Sequence, residues 1–318
     1  MRRTALALIL VSTAAVASAQ PYPTRVVRYV VSDSPGSGLD TLARVVAEGL
    51  TALWGHQVVV DNRPGAGGNI GAEVIARGTP DGYTIGQIAT THAVNATLYK
   101  TLGYDLVRDL TGVTQLASVP SIAVTPSSSQ IRTIADLVKV AKAKPGALTY
   151  ASAGTGTCTF LAGELFKRQA SVDLLHVAYK GGPPAVTSIL SGETSVYFAP
   201  LSAVLPIVKQ GRLQALGVST PQRLSLVPEY PTIAEAGVPG YQFSCWYGLV
   251  APAKTPRAMV AAVHTAVTKV LSDAAIQKRL LDLGFIPVGD KPEEFTAYIK
   301  AQVEAFRPLV KDLPQLVS

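Results

Sequence analysis

The chain has 318 residues and a net charge of +7, with 48% hydrophobic and 15% charged residues. This hydrophobic content is typical of a globular protein and argues against a disordered chain. The basic residues are scattered, without the stripe of lysines, arginines and aromatic residues that nucleic-acid binding uses. We therefore expect no nucleic-acid partner, whereas a mildly positive balance is compatible with small anionic ligands.

The first nineteen residues have the pattern of a secretory signal peptide. Two arginines precede an uncharged run over 5–17, and an Ala-Ser-Ala sequence at 17–19 forms a cleavage site. The run is too short for a comfortable membrane span. Removing 1–19 would lower the net charge from +7 to +5. We expect an exported, soluble protein in the periplasm.

The chain after residue 20 alternates strand and helix patterns. Buried strands are predicted at 26–32, 57–60 and 83–89, with helices after the first two that end near Gly55 and Arg77. The third strand is expected to end in a Thr-Thr-His loop at 90–92. After residue 109, two short strands at 113–118 and 122–125, broken by Pro120, suggest a crossing into a second lobe.

The second lobe repeats the alternation. Thr133 and Asp136 form a capping box at the start of a helix. Strands are then predicted at 148–153, 174–178, 195–198 and 214–218, separated by helices, and an apolar strand at 241–251 is the expected return crossing. Three helices, at 257–271, 274–283 and 292–310, finish the chain. Such alternation predicts an α/β fold, with mainly parallel sheets flanked by helices.

This pattern predicts two lobes rather than one core, because domains usually contain about 100–200 residues. The first lobe is expected over 20–119 and 244–318, and the second over 120–243. Two crossings between lobes are suited to hinge closure around a ligand.

Two glycine-rich turns each lead from a strand into a helix, at Pro35–Asp40 and Gly154–Thr157. Backbone N–H groups at a helix N-terminus form an anion site. The second turn lacks the Lys-Ser/Thr of a phosphate loop, and the first lacks the third glycine of a dinucleotide fingerprint, so no cofactor is predicted. The two turns suggest a cleft that closes over a small carboxylate. The alternative is that each is a simple strand-to-helix connection.

The histidines do not predict a metal site. The chain has four, at positions 56, 92, 176 and 264, and none has a partner at the spacing of metal ligands. His92 differs from the others because it ends a strand, where ligand sites collect in open α/β sheets. It is therefore a candidate ligand-binding residue, while His176 is expected to be a satisfied core residue.

Cys158 and Cys245 are the two cysteines. An oxidising compartment permits a bridge, but the sequence cannot place the two Cα atoms within bridging range, so a disulfide and two free thiols both remain open. Cys158 lies near a helix N-terminus, which lowers a thiol pKa, but no sequence signature supplies a histidine base. No G-x-S-x-G motif occurs either, so the chain is not expected to be an enzyme.

Several ordered motifs together resemble the Bug family, the extracytoplasmic solute receptors of tripartite tricarboxylate transporters. They cover nearly the whole mature chain and are DNRPGAGGNIG at 61–71, PDGY at 80–83, YASAG at 150–154, LAGE at 161–164, YKG at 179–181 and WYGLVAP at 246–252.

The resemblance implies a type II periplasmic binding protein with two α/β lobes and two crossover strands. It also implies that loops of both lobes hold a small carboxylate through N–H groups, hydroxyls and waters. The expected partners are a small carboxylate or amino acid and either a permease of the tripartite tricarboxylate type or a sensor kinase, with the protein acting as a monomer. Carried onto this chain, the candidate ligand-binding residues are Asp33, Pro35, Gly36, Ser37, Gly38, Leu39, Asp40, Thr90, Thr91, His92, Ser152, Gly154, Thr155, Gly156, Thr157, Cys158, Tyr179, Lys180, Gly181, Ala199 and Pro200.

Asp33 departs from the family pattern, which usually has an apolar or aromatic residue in the first loop. A carboxylate there would repel a plain dicarboxylate and favour a ligand with an ammonium, amide or hydroxyl group. The alternative is that Asp33 caps its own turn. Cys158 and Phe160 are further departures, in the second turn and the helix that follows it.

Overall fold

The computed structural model describes residues 22–310. The predicted signal peptide at 1–19 lies outside the described residues. The strands are β1 (Val27–Val31), β2 (Val58–Asn62), β3 (Thr84–Ala89), β4 (Leu110–Pro126), β5 (Thr149–Ser152), β6 (Leu175–Ala178), β7 (Val196–Pro200), β8 (Leu213–Val218), β9 (Ser244–Pro252) and β10 (Ile286–Pro287). The helices are α1 (Gly38–Trp54), α2 (Asn69–Ala76), α3 (Thr90–Leu98), α4 (Ile134–Ala143), α5 (Cys158–Ala170), α6 (Gly182–Ser191), α7 (Leu201–Lys209), α8 (Arg257–Ser272), α9 (Ala274–Asp282) and α10 (Pro292–Val310).

The strands hydrogen-bond in the order β2-β1-β3-β9-β4-β7-β5-β6, and β8 and β10 also pair with β4. Strands β1, β2 and β3 pair parallel with one another, as do β5, β6 and β7. Every ladder that contains β4 or β9 is antiparallel. The predicted α/β fold is confirmed, and each antiparallel ladder among the described residues includes β4 or β9.

Strand β4 runs without interruption through both parts of the sheet. Its residues 110–120 pair with β9, and its residues 121–126 pair with β7 and β8. We call the part around β1, β2, β3 and β9 the first half-sheet and the part around β5 to β8 the second half-sheet. The predicted break at Pro120 is wrong. Pro120 is the last residue paired with β9, so its missing N–H falls where the strand changes partners.

Helix α3 occupies the segment predicted as a Thr-Thr-His loop. The backbone N–H of Ala89 donates to Nδ1 of His92 at 3.0 Å, so the imidazole caps the first turn. Ala89 is the N-cap of α3 and His92 its third residue; alanine is a poor N-cap and histidine is not the usual residue at N3, so the helix start has no signal in the sequence.

Apolar side chains cover both half-sheets, and Trp246, Tyr29 and Phe295 are among the largest that are fully buried. Phe295 of α10 packs directly against Gly248 of β9, leaving no room for a Cβ atom at that glycine. Within 22–310 no single helix is long and apolar enough to cross a membrane, and only α8 and α9 together, bent by 73°, meet the length and composition required.

Candidate functional site

The two half-sheets direct the carboxyl ends of their parallel strands toward each other. Strand β1 runs in the same direction as β4, because β3, parallel to β1, and β4 are both antiparallel to β9. Strands β5 and β7 run the opposite way, since β7 is antiparallel to β4. Pro200 at the end of β7 pairs with Ser121, and Ala89 at the end of β3 pairs with Tyr247, which pairs with Ala117. The segments that follow these strands, 32–37, 153–157 and the start of α7, therefore face one another across the middle of β4, and we call the region between them the cleft.

The turn between β1 and α1 is held by its own side chains. Ser37 is the N-cap of α1, and its hydroxyl accepts from the N–H of Asp40 at 3.2 Å. The carboxylate of Asp40 accepts from the N–H of Gly36 at 2.8 Å and from Arg44 Nε at 2.9 Å. Burial acts to raise the pKa of Asp40, but the bonds from Arg44 and Gly36 hold it below its ordinary value. Asp40 therefore shapes the turn and uses one of the N–H groups expected for a ligand.

Asp33 lies at the start of the same turn. One of its oxygens, Oδ1, accepts from the N–H of Ser34 at 2.7 Å. Burial raises the pKa of Asp33, and the nearby Asp40 carboxylate raises it further. Hydrogen bonds from Ser34 and Ser37 act in the opposite direction, but the pKa stays above its ordinary value. Pro35 and Gly36 are exposed, while Leu39 is buried in α1. Gly38 lies so close to Tyr247 that a Cβ there would be 2.9 Å from the tyrosine hydroxyl.

The turn between β5 and α5 is also internally bonded. The hydroxyl of Ser152 lies 2.6 Å from His176 Nε2 and accepts from the N–H of Gly154 at 3.0 Å. Thr157 donates its hydroxyl to the carbonyl of Gly154 at 2.6 Å. Both Gly154 (φ 128°) and Gly156 (φ 79°) have backbone angles that favour glycine. Thr155 at the tip is exposed.

The start of α5 is attached to the first half-sheet in two ways. Gly156 lies against Leu98 of α3, with no space for a Cβ atom between them. Cys158 forms a disulfide with Cys245 of β9, and their Cα atoms are 6.1 Å apart. The bridge that the sequence left open is therefore present and connects the second turn to β9.

Two tyrosines at the cleft were missed by sequence reasoning. Tyr197 of β7 is fully buried, and its hydroxyl has no hydrogen-bond partner among the described residues. Tyr247 of β9 lies close to Asp33 and Tyr197, and burial together with these two neighbours raises its pKa. Thr159 is also buried and lies near the Tyr197 hydroxyl. The hydroxyls of Thr159 and Thr157 share a hydrogen bond of 3.1 Å. The motif at 246–252 contains Tyr247, whereas no sequence signal pointed to Tyr197.

Thr90 and His92 hold the backbone together beside the cleft. The hydroxyl of Thr90 accepts from the N–H of Trp246 at 2.8 Å. His92 is 2% exposed, and its Nε2 lies 3.3 Å from the carbonyl of Gly68. Burial lowers the pKa of His92 to about 4, against the opposing effect of two backbone bonds. Thr91 is half-buried beside them.

The remaining candidates lie around the second turn. Gly181 donates its N–H to the carbonyl of Ala153 at 3.1 Å, so the 179–181 segment runs next to that turn. The hydroxyl of Tyr179 is buried without a partner among the described residues, near Ser188 of α6. Lys180 is exposed. Ala199 is buried in β7, and Pro200 is the N-cap of α7.

His176 stacks on Tyr150 and packs at an angle against Phe160. The His176 ring lies 4.8 Å from the ring centres of both Tyr150 and Phe160, and burial lowers its pKa. Across residues 22–310 there is no group of three or more His, Cys, Asp or Glu side chains that could hold a metal ion.

The comparisons with known proteins agree with this geometry. Residues 42–314 match the model of the tripartite tricarboxylate transporter family receptor. This chain belongs to that family. The receptor is 36% identical to a protein of Pseudomonas sp. strain P51 encoded in the tcbD-tcbE intergenic region, over 91% of this chain and 86% of the relative.

Solved structures of similar proteins have the same fold. An R. palustris protein solved with adipate is 33% identical, with a TM-score of 0.87, and the match covers 93% of this chain and 100% of that one. MatC from Rhodopseudomonas palustris, with bound malate, is 27% identical with a TM-score of 0.82, over 91% and 100% of the two chains. The resemblance inferred from the motifs is confirmed, and the receptor has the periplasmic binding protein fold.

Proposed function

We propose that the receptor captures a small carboxylate in the cleft between its half-sheets. The observation that carries this proposal is that the β1–α1 and β5–α5 turns face each other across the middle of β4. Each turn begins a helix of at least thirteen residues, whose N-terminus favours a negative charge. Adipate and malate bound to two similar proteins support the same ligand class.

Binding energy would come from oriented donors that replace the water around the carboxylate. The buried hydroxyl of Tyr197 has no partner among the described residues, and a buried polar group without a partner is costly. A ligand oxygen that accepts from this hydroxyl would remove that cost. The turns are already fixed by Asp40, Thr157 and the disulfide, so little ordering would be needed when the ligand binds.

We further propose that residues 20–119 and 244–318 form one lobe and residues 120–243 the other. The half-sheets support this division, because β4 changes partners at 120–121 and, among residues 22–310, β9 pairs with β3 and β4. Closure of the lobes about these two strands would enclose the ligand. We also propose that residues 1–19 are a signal peptide. The receptor would then deliver its ligand to a membrane permease without changing the ligand chemically.

The test begins with mass spectrometry of small molecules released from the purified protein, followed by calorimetric titration with adipate, malate and other small carboxylates. Tyr197→Phe should weaken carboxylate binding about five- to tenfold through loss of one hydrogen bond, with the fold unchanged. Tyr241→Phe is the matched control, since it removes another fully buried tyrosine hydroxyl, which donates to the carbonyl of Ala162 in α5 at 2.9 Å. Equal effects of the two variants, or a released ligand without a carboxylate, would contradict the proposal.

A further inference from the structure

Asp33 is an acidic side chain at the cleft with no cation assigned to it. None of the ion pairs formed within residues 22–310 includes Asp33. The other acids of the first half-sheet at this edge are compensated: Asp40 pairs with Arg44 at 2.9 Å, and Asp61 pairs with Arg28 at 2.6 Å. A partly buried carboxylate without a counter-charge is unfavourable unless something else supplies one.

The surroundings of Asp33 belong to the cleft. It lies two residues after the end of β1 at Val31, beside the Gly38 start of α1 that packs against the hydroxyl of Tyr247, and its charge raises the pKa of that hydroxyl. Tyr247 is in turn close to Tyr197 of the second half-sheet. Asp33 therefore lies at the point where the two half-sheets approach each other, on the side of the first turn.

The bond from Ser34 uses only part of the hydrogen-bonding capacity of the Asp33 carboxylate. The N–H of Ser34 occupies Oδ1 at 2.7 Å and the Ser37 hydroxyl adds a second bond, while an ionised carboxylate accepts about four hydrogen bonds. The alternative role of Asp33, capping its own turn, is thus compatible with a further bond to a ligand. Burial raises the pKa of Asp33, as expected for a carboxylate that lacks a compensating charge.

We propose that Asp33 forms a subsite for a protonated amino group of the ligand, so that the receptor selects amino-substituted carboxylates over plain ones. This inference rests on the proposed function and specifies its ligand class. An ammonium group would supply the missing counter-charge to Asp33, while the ligand carboxylate would lie toward Tyr197 and the second turn. A plain dicarboxylate would instead bring a like charge toward Asp33 in a partly desolvated site.

The experiment compares matched ligand pairs that differ only in an α-amino group: succinate with aspartate, glutarate with glutamate, and adipate with 2-aminoadipate. Calorimetric titration is performed on the wild type, on Asp33→Asn and on Asp173→Asn. Asp173 is the matched control because it precedes β6, at the edge of the sheet opposite the cleft, and its side chain is 63% exposed. The ligand released from the wild-type protein is identified by mass spectrometry in parallel.

We expect the wild type and Asp173→Asn to bind the amino member of the best-fitting pair at least about tenfold more tightly than the plain member. Asp33→Asn should lose most of this ratio, by weaker binding of the amino member and tighter binding of the plain one. Tighter wild-type binding of plain dicarboxylates, or a ratio unchanged in Asp33→Asn, would overturn the inference.

The two failures are distinguishable. If carboxylates bind without preference for the amino group, or if the released ligand is a carboxylate without a basic nitrogen, only the subsite is refuted. If the wild type binds none of the six probes and releases no carboxylate, the proposed function itself fails. Should Asp33→Asn not fold, the wild-type ratio and the released ligand still decide the question.

Discussion

Removal of the Cys158–Cys245 bridge should destabilise the receptor strongly. The two cysteines are separated by 87 positions, and the loop-closure entropy of such a cross-link corresponds to about 4.6 kcal/mol at 25 °C. Cys245 is 1% exposed, so alanine is preferred to serine, whose hydroxyl would be buried. We expect the Cys158→Ala/Cys245→Ala variant to lose about 3–5 kcal/mol of unfolding free energy.

The assay is denaturant unfolding followed by circular dichroism, with and without a phosphine reductant. Wild-type protein in reductant should approach the double variant, and the double variant itself should not respond to reductant. The bridge holds the start of α5 against β9, so carboxylate affinity should also fall when it is removed. A double variant as stable as the oxidised wild type would refute the reasoning.

Two further predictions concern buried positions. Burial holds the pKa of His92 at about 4, below the value of about 6.5 in an unfolded chain, so the unfolded state binds more protons between these values. The free energy of unfolding should therefore fall by up to about 3 kcal/mol as the pH drops from about 6.5 to about 4. In denaturation measured as a function of pH, His92→Gln should show a smaller decrease. An equal decrease in the variant would contradict the assignment of this pH dependence to His92. Gly248→Ala should lower the free energy of unfolding by about 1–3 kcal/mol, because the added methyl group would collide with Phe295. In the control Gly182→Ala the methyl group meets open space, so the melting temperature should change little. Comparable losses of stability in the two variants would argue against the packing of Phe295 on Gly248.

Much of the fold was predictable because it depends on local signals. The capping box of Thr133 and Asp136 starts α4 as predicted. The valines of α8 recur at helical spacing, and Val260, Val263, Val267 and Val270 are all buried. Glycine after α1 ends that helix at Trp54, with Gly55 in the left-handed conformation. Such features depend on residues within a few positions of one another, so periodicity and end signals suffice.

The errors arose where distant partners override local preference. At the start of α3, the local bond from Ala89 to the His92 side chain is joined by a bond between Thr90 and Trp246, which is 156 positions away. Strand β4 continues through Pro120 because its partner changes there from β9 to β7. The neighbouring residues along the chain carry neither piece of information.

The candidate site divides in the same way. The sequence alone determined that two strand–turn–helix units carry glycines and hydroxyls, that the chain matches a receptor family, and that an acid stands at position 33. Only the tertiary structure decided that Tyr197 and Tyr247 lie close to each other and Tyr247 close to Asp33, and that Cys158 meets Cys245. The physical reason is the course of β4, which passes through both half-sheets and so turns the carboxyl ends of their strands, and the residues that follow them, toward one another.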